Sequence, residues 1–142
     1  MLPKWHILAG AIFSLILFYF FNINYFEASL VFLSSFLIDA DHYFWWVLKK
    51  RNISFSKAYY WLKNLSKNHK PRVDLFHTFE FLIFIGILSY FFKPFLFILI
   101  GLLFHSITDM IDMLPEITHS KKCGREYFLI RYLLTKDKKK YL

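Results

Sequence analysis

The chain has 142 residues, 57% of them hydrophobic and 19 of them Phe, with a formal net charge of +8. That length allows one domain, and uncharged runs such as ILAGAIFSLILFYFF and FLIFIGILSYFF exclude an ordinary water-soluble one, whose surface needs polar cover. Nucleic acid is excluded as a primary partner: Lys and Arg gather at the N-terminus, in one central loop and in the tail, which is a topology signal and not a binding face.

The first segment, MLPKWHILAG, sets one Lys before an apolar run, as a secretory signal does. No small-residue cleavage site follows directly, so it reads as a retained signal anchor. Four apolar segments then suit helical spans, at about residues 4–21, 25–48, 74–92 and 95–114, each near the ~20 residues that a bilayer requires. The connector NINYF lacks Lys and Arg, and the KP at Lys93 and Pro94 marks a tight turn. By contrast residues 49–73 and the tail, residues 119–142, are strongly basic. The positive-inside rule then puts both termini and the central loop in the cytoplasm of a multi-pass protein of the cell (inner) membrane, which an even number of spans allows.

Within the central loop Phe55, Tyr59, Leu62 and Leu65 recur at helical spacing, with Lys57, Lys63 and Lys67 off that stripe. This predicts a short amphipathic helix on anionic headgroups, or else a solvated cap between spans. Trp5, Trp45, Trp46 and Trp61 fall near the same boundary, as an aromatic belt does. Cys123 is the only cysteine, so neither a disulfide framework nor a CxxC metal knuckle is available. The expected architecture is all-α: a four-helix integral membrane bundle of one domain with an interfacial helix.

Charged residues nevertheless interrupt these spans. Counted from the outer end of each helix at ~1.5 Å per residue, His6, Asp39, His42, His77 and Asp109 lie roughly 20–26 Å along, with Glu80 and His105 somewhat deeper. Polar groups from four helices thus share one layer. HSITDMID puts His105, Asp109 and Asp112 on one stripe, FLIDADH puts Asp39 and His42 on one face with Asp41 on another, and HTFE pairs His77 with Glu80. Histidine and carboxylate from facing helices are how helical bundles build metal sites.

Any one histidine alone is more often a hydrogen-bonded core residue than a ligand, and His69 and His119 sit in polar loops. Asp74 reads as a helix cap. Asp112 reads as an interfacial carboxylate, and Asp41 suits the role of orienting a ligand histidine. Jointly, however, each buried carboxylate costs ~2.5–3.5 kcal/mol on insertion scales, and no span carries a basic residue in that layer. A divalent cation neutralises such a crowd. Mixed His and Asp or Glu donors without thiolate favour Zn, with Mn or Fe next, and the number of donors leaves room for one to three ions.

The segments WHILAGAI, SSFLIDADH, RVDLFHTFEF and GLLFHSITDMIDM, in this order, resemble the membrane-bound metal-dependent hydrolase family, which includes a LexA-regulated bacterial inner-membrane protein. The family is distantly similar to the zinc phospholipase C and P1 nuclease group, whose HxxxD helix HSITD matches at His105 and Asp109. The resemblance implies His6, Asp39, His42, His77, His105 and Asp109 as metal ligands. It leaves Glu80 or Asp41 as general base, since the implied ligand set requires neither. The function so implied is hydrolysis of a phosphoester or other ester, its substrate a lipid or phosphoester, through metal-activated water at the cytoplasmic side. The alternative is a non-catalytic metal-binding or metal-transporting membrane protein. Its four helices are few unless a homodimer supplies more, and the outer halves SLILFYFF and IGILSYFF offer a transport path almost nothing polar.

Overall fold

A computed structural model describes residues 3–64, 72–120 and 125–136, with the side chains of Pro3, Leu62, Arg72, residues 113–120 and Arg125 excepted. Helix α1 spans Pro3–Phe21, α2 Tyr25–Leu37, α3 Ala40–Lys50 and α4 Phe55–Lys63. A two-residue strand β1 (Arg72–Val73) and a single 3-10 turn (Leu75–His77) lead into α5 (Phe79–Phe91) and α6 (Lys93–Ser120). Strand β2 (Arg125–Glu126) and a short α7 (Leu129–Leu134) follow. The fold is all-α apart from the β1 and β2 pair.

Helix α1 turns into α2 through Asn22–Asn24, where Asn22 takes a positive φ of 52°. A reciprocal box starts α2: the Glu27 amide donates to Asn24 Oδ1 (2.9 Å) and the Asn24 amide to Glu27 Oε2 (3.0 Å). The Lys93 ammonium at the start of α6 reaches the same Glu27 carboxylate at 2.6 Å, tying the two helix ends together. Between α2 and α6 the backbones approach closely. A Cβ on Gly101 would overlap the Val31 carbonyl and the Ser34 hydroxyl, and one on Gly10 in α1 would overlap Ser35. Accordingly α2 packs between α1 and α6, and α5 lies along the other side of α6. Ile38, Ile85 and Leu102 form the apolar centre.

The distribution of polarity is inverted. Among the described residues ten polar or charged side chains are buried against seven hydrophobic ones, whereas Phe20, Tyr25, Leu48 and Tyr90 are about four-fifths exposed. A water-soluble chain does the reverse. Two helical stretches, Lys4–Phe21 and Lys93–Asp112, are long and apolar enough to cross a membrane, and Phe79–Phe91 is a shorter apolar helix.

The expected spans need correcting at three places. The second, residues 25–48, is not one helix: bonds of Asp39 to Phe36 (3.2 Å), Asp41 to Ile38 (3.4 Å) and His42 to Asp39 (3.1 Å) tighten the backbone into a turn between α2 and α3. The third begins only at Phe79, because Asp74 and Thr78 are extended on either side of the 3-10 turn. At 13 residues, α2 and α5 are each about 20 Å long by helical rise, short of a ~30 Å hydrocarbon core. The fourth helix runs on to Ser120, and within the stretch read as a basic tail residues 125–134 fold back on the start of α5.

The loop helix is present as α4, Phe55–Lys63, with Ala58 buried and Phe55 and Tyr60 exposed; Leu65, Lys67, His69, Lys70 and residues 137–142 lie outside the described residues. Trp45 stacks on Trp61 with centroids 5.5 Å apart, holding α4 against α3.

Candidate metal centre

Asp39 stands in the turn between α2 and α3. It occupies the N-cap of α3 but makes no side-chain cap bond, so its carboxylate is available to the bundle interior. His77 comes from the 3-10 turn before α5, and His105 and Asp109 come from successive turns of α6. One atom from each of these four, Asp39, His77, His105 and Asp109, lies within 4.8 Å of the other three.

Each inner imidazole has its outward nitrogen engaged. His105 Nδ1 lies 2.7 Å from the Ser35 carbonyl, which can only accept, so Nδ1 carries the proton and Nε2 presents a lone pair. His77 Nδ1 lies 3.0 Å from Asp41 Oδ2, a carboxylate oxygen that also accepts from the Phe76 amide at 3.1 Å. The two Nε2 lone pairs therefore face each other, 3.3 Å apart. Asp39 Oδ1 and Asp109 Oδ2 are each 3.5 Å from His105 Nε2, and 3.8 and 3.9 Å from His77 Nε2.

Donor set and spacing together test whether a metal fits. All four inward atoms are electron-pair donors, and a cation shared among them removes their mutual repulsion. Zinc bound at 2.0–2.1 Å puts tetrahedral ligands about 3.3–3.4 Å apart, close to the shorter of these separations. Outward bonds from a ligand histidine to a carboxylate or a backbone carbonyl are the usual support of such sites. The buried His and Asp cluster can thus hold a metal ion.

His6 and His42 flank this inner set. His6 stacks on His105 (centroids 4.1 Å apart) and its Nε2 contacts Asp109 Oδ1 at 3.1 Å, while its Nδ1 lies 3.4 Å from Thr108 Oγ1. His42 stacks on His77 (5.1 Å) and its Nε2 contacts Asp39 Oδ1 at 3.3 Å. Its Nδ1 meets two carboxylates, Asp41 Oδ1 at 2.8 Å and Asp74 Oδ1 at 3.2 Å. Asp41 and Asp39 therefore sit on opposite edges of the stacked His42 and His77 rings. Asp41, His42 and His77 form a second group with metal-ligand spacing. The most exposed part of the group is the Asp39 and His42 edge, where side chains are 18% and 16% exposed; those of His6, His77 and His105 are at most 2% exposed.

The six residues implied as ligands thus converge, four inside and His6 and His42 beside them. Glu80 does not join them, and its reading as general base is corrected. Its carboxylate accepts from the Leu129 amide at Oε2 and the Ile130 amide at Oε1, both at 3.0 Å, and since α5 starts after its N-cap Thr78, His77 and Glu80 do not share a helix. Asp41 is engaged by His77 and the Phe76 amide, the orienting arrangement and not that of a free base. Asp74 makes no cap bond to the turn it precedes and points instead at His42. Ser35 acts through its backbone carbonyl, which no side-chain pattern reports. Asp112 is exposed on α6. No protein-family model, curated protein or solved structure matches the chain.

Proposed function

We propose that the chain is a membrane-bound metal-dependent hydrolase of the family it resembles, a multi-pass protein with both termini cytoplasmic, acting on a phosphoester or other ester such as a lipid headgroup. The observation that carries this reading is the pair of inward-facing imidazole nitrogens, each fixed by an outward acceptor and flanked by a carboxylate. The apolar exterior and polar interior support a lipid setting, with α1 and α6 crossing and α2 and α5 packed beside them. Asp39, His77, His105 and Asp109 would hold the cation. Lewis acidity and the polarisation of water for attack on the ester would come from zinc, or from manganese or iron with the same donors.

The chain's own residues do the rest. Ser35 and Asp41 keep both inner histidines in the tautomer whose Nε2 carries no proton. His42, at the more exposed edge with carboxylates on its Nδ1, would take the proton from water or substrate, the role that the resemblance leaves to Glu80 or Asp41. The test is turnover by detergent-purified protein with Zn or Mn against a panel of lipid and phosphodiester substrates. Metal-dependent hydrolysis that disappears in His105→Ala supports the reading. Stoichiometric metal binding with uptake into proteoliposomes and no hydrolysis would replace it with the transport alternative.

A further inference from the structure

Residues 74–78 form an arch that supplies much of the centre. Asp74 contacts His42, the Phe76 amide donates to Asp41, and His77 faces His105. Both feet of this arch are tied to the same C-terminal segment. On one side β1 pairs in parallel with β2, Arg72 opposite Arg125 and Val73 opposite Glu126. On the other the Phe79 amide donates to the Tyr127 carbonyl at 3.0 Å, and Phe79 packs against the Tyr127 and Phe128 rings at 5.9 and 5.1 Å.

Glu80 closes the second foot. The first amides of a helix have no partner inside it, and Phe128 at the N-cap of α7 makes no side-chain cap bond. The Glu80 carboxylate supplies what is missing, one oxygen for Leu129 and the other for Ile130. It thereby caps a helix about 50 residues away in sequence and holds the tail against the arch.

We infer that Glu80 is a positioning residue: through the C-terminal strap, residues 125–134, it fixes the arch that carries His77 and Asp74. The link to metal rests on the proposed metal centre. The link to the arch does not. A strap with no bearing on the site would stabilise the tail alone; this one grips the chain immediately before and after the segment that meets both His105 and His42.

The test uses full-length protein in detergent, with Glu80→Ala, Glu80→Gln and wild type compared by zinc affinity, far-UV circular dichroism and amide hydrogen exchange. In Glu80→Ala, exchange is expected to accelerate in peptides covering residues 72–80 and 127–130 while α2 and the first half of α6 keep wild-type protection. Zinc affinity should fall about 10–100-fold, the usual effect of losing an outer support of a metal ligand. Glu80→Gln keeps one carbonyl oxygen for the two amides and should lie between the two, a graded rescue that general loss of folding does not produce. It also stands in if Glu80→Ala loses its helical signal. Faster exchange at 127–130 with wild-type exchange at 72–80 and wild-type zinc affinity would overturn the inference. Should wild type bind no zinc, the metal centre fails, and the exchange at 72–80 alone decides whether Glu80 positions the arch.

Discussion

His77 Nε2 and His105 Nε2 face each other across 3.3 Å from different helical segments, and each ring has its other nitrogen on an acceptor, Asp41 for one and the Ser35 carbonyl for the other. Removing one member of the pair strips the centre of a donor that nothing nearby replaces with the same geometry. Elemental analysis of detergent-purified wild type should give about one zinc or similar divalent ion per chain at the inner set, and the Asp39→Ala, His105→Ala double variant close to none. Equal metal content in the two proteins would refute the assignment of these residues as ligands.

Asp41 offers a separate test, because it touches the centre only through other groups. Its Oδ2 holds both His77 Nδ1 and the Phe76 amide. Asp41→Ala leaves both donors without that acceptor and frees the His77 ring to turn. Competition with a chromophoric chelator should show zinc affinity lowered by about 10–100-fold, and Asp41→Asn, whose amide oxygen still accepts, should lose less. A variant Asp41→Ala that binds as wild type does would mean the ring is held by other contacts.

His42 and His105 should separate binding from turnover. His105 is fully buried at the inner set, whereas His42 stands at the more exposed edge beside Asp39. His42→Gln should therefore keep most of its metal while hydrolysis falls about 10²–10⁴-fold, the range for loss of a proton-transfer group. His105→Ala should lose both together. If His42→Gln releases metal as readily as His105→Ala does, His42 is a ligand and the proton passes elsewhere.

Much of this arrangement was legible in residue spacing. The i and i+4 relation of His105 and Asp109 follows from helix geometry alone; the layer shared by His6, Asp39, His42 and His77 follows from counting along continuous spans, and the structure brings all six together although two of those spans are broken. Asn24 and Glu27 also carry a readable signal, the spacing of a capping-box pair at the start of α2. What stayed hidden depends on contacts distant in sequence. The bend at Asp39 and the 3-10 turn at His77 break runs whose hydropathy is continuous, so composition gives no notice of them. Glu80 shares helical spacing with His77 only if one helix includes both, and α5 begins at Phe79, two residues past His77. The pairing of residues 72–73 with 125–126 involves two residues on each side, too few for any periodic pattern. Asp74 looks like a cap because caps are local, while its partner His42 is not.

The close approach of α2 and α6 gives a last prediction, about stability and the site at once. A Cβ at Gly101 meets the Val31 carbonyl and the amide of Ser35 as well as the Ser34 hydroxyl, and backbone atoms cannot rotate away. At Gly10 the obstacle is the Ser35 side chain, whose hydroxyl can move. Gly101→Ala should thus destabilise by about 1–3 kcal/mol, the usual cost of overpacking, and Gly10→Ala by less. Helix α2 also carries the Ser35 carbonyl that orients His105, so pushing it from α6 should weaken zinc binding in Gly101→Ala more than in Gly10→Ala. Thermal unfolding in one detergent, with and without saturating zinc, reads both effects. Zinc bound only by the folded form raises Tm, and at a zinc concentration 100 times Kd the gain is about 2.7 kcal/mol. That gain should shrink in Gly101→Ala, and an undiminished one would show that the centre does not depend on how closely these two helices pack.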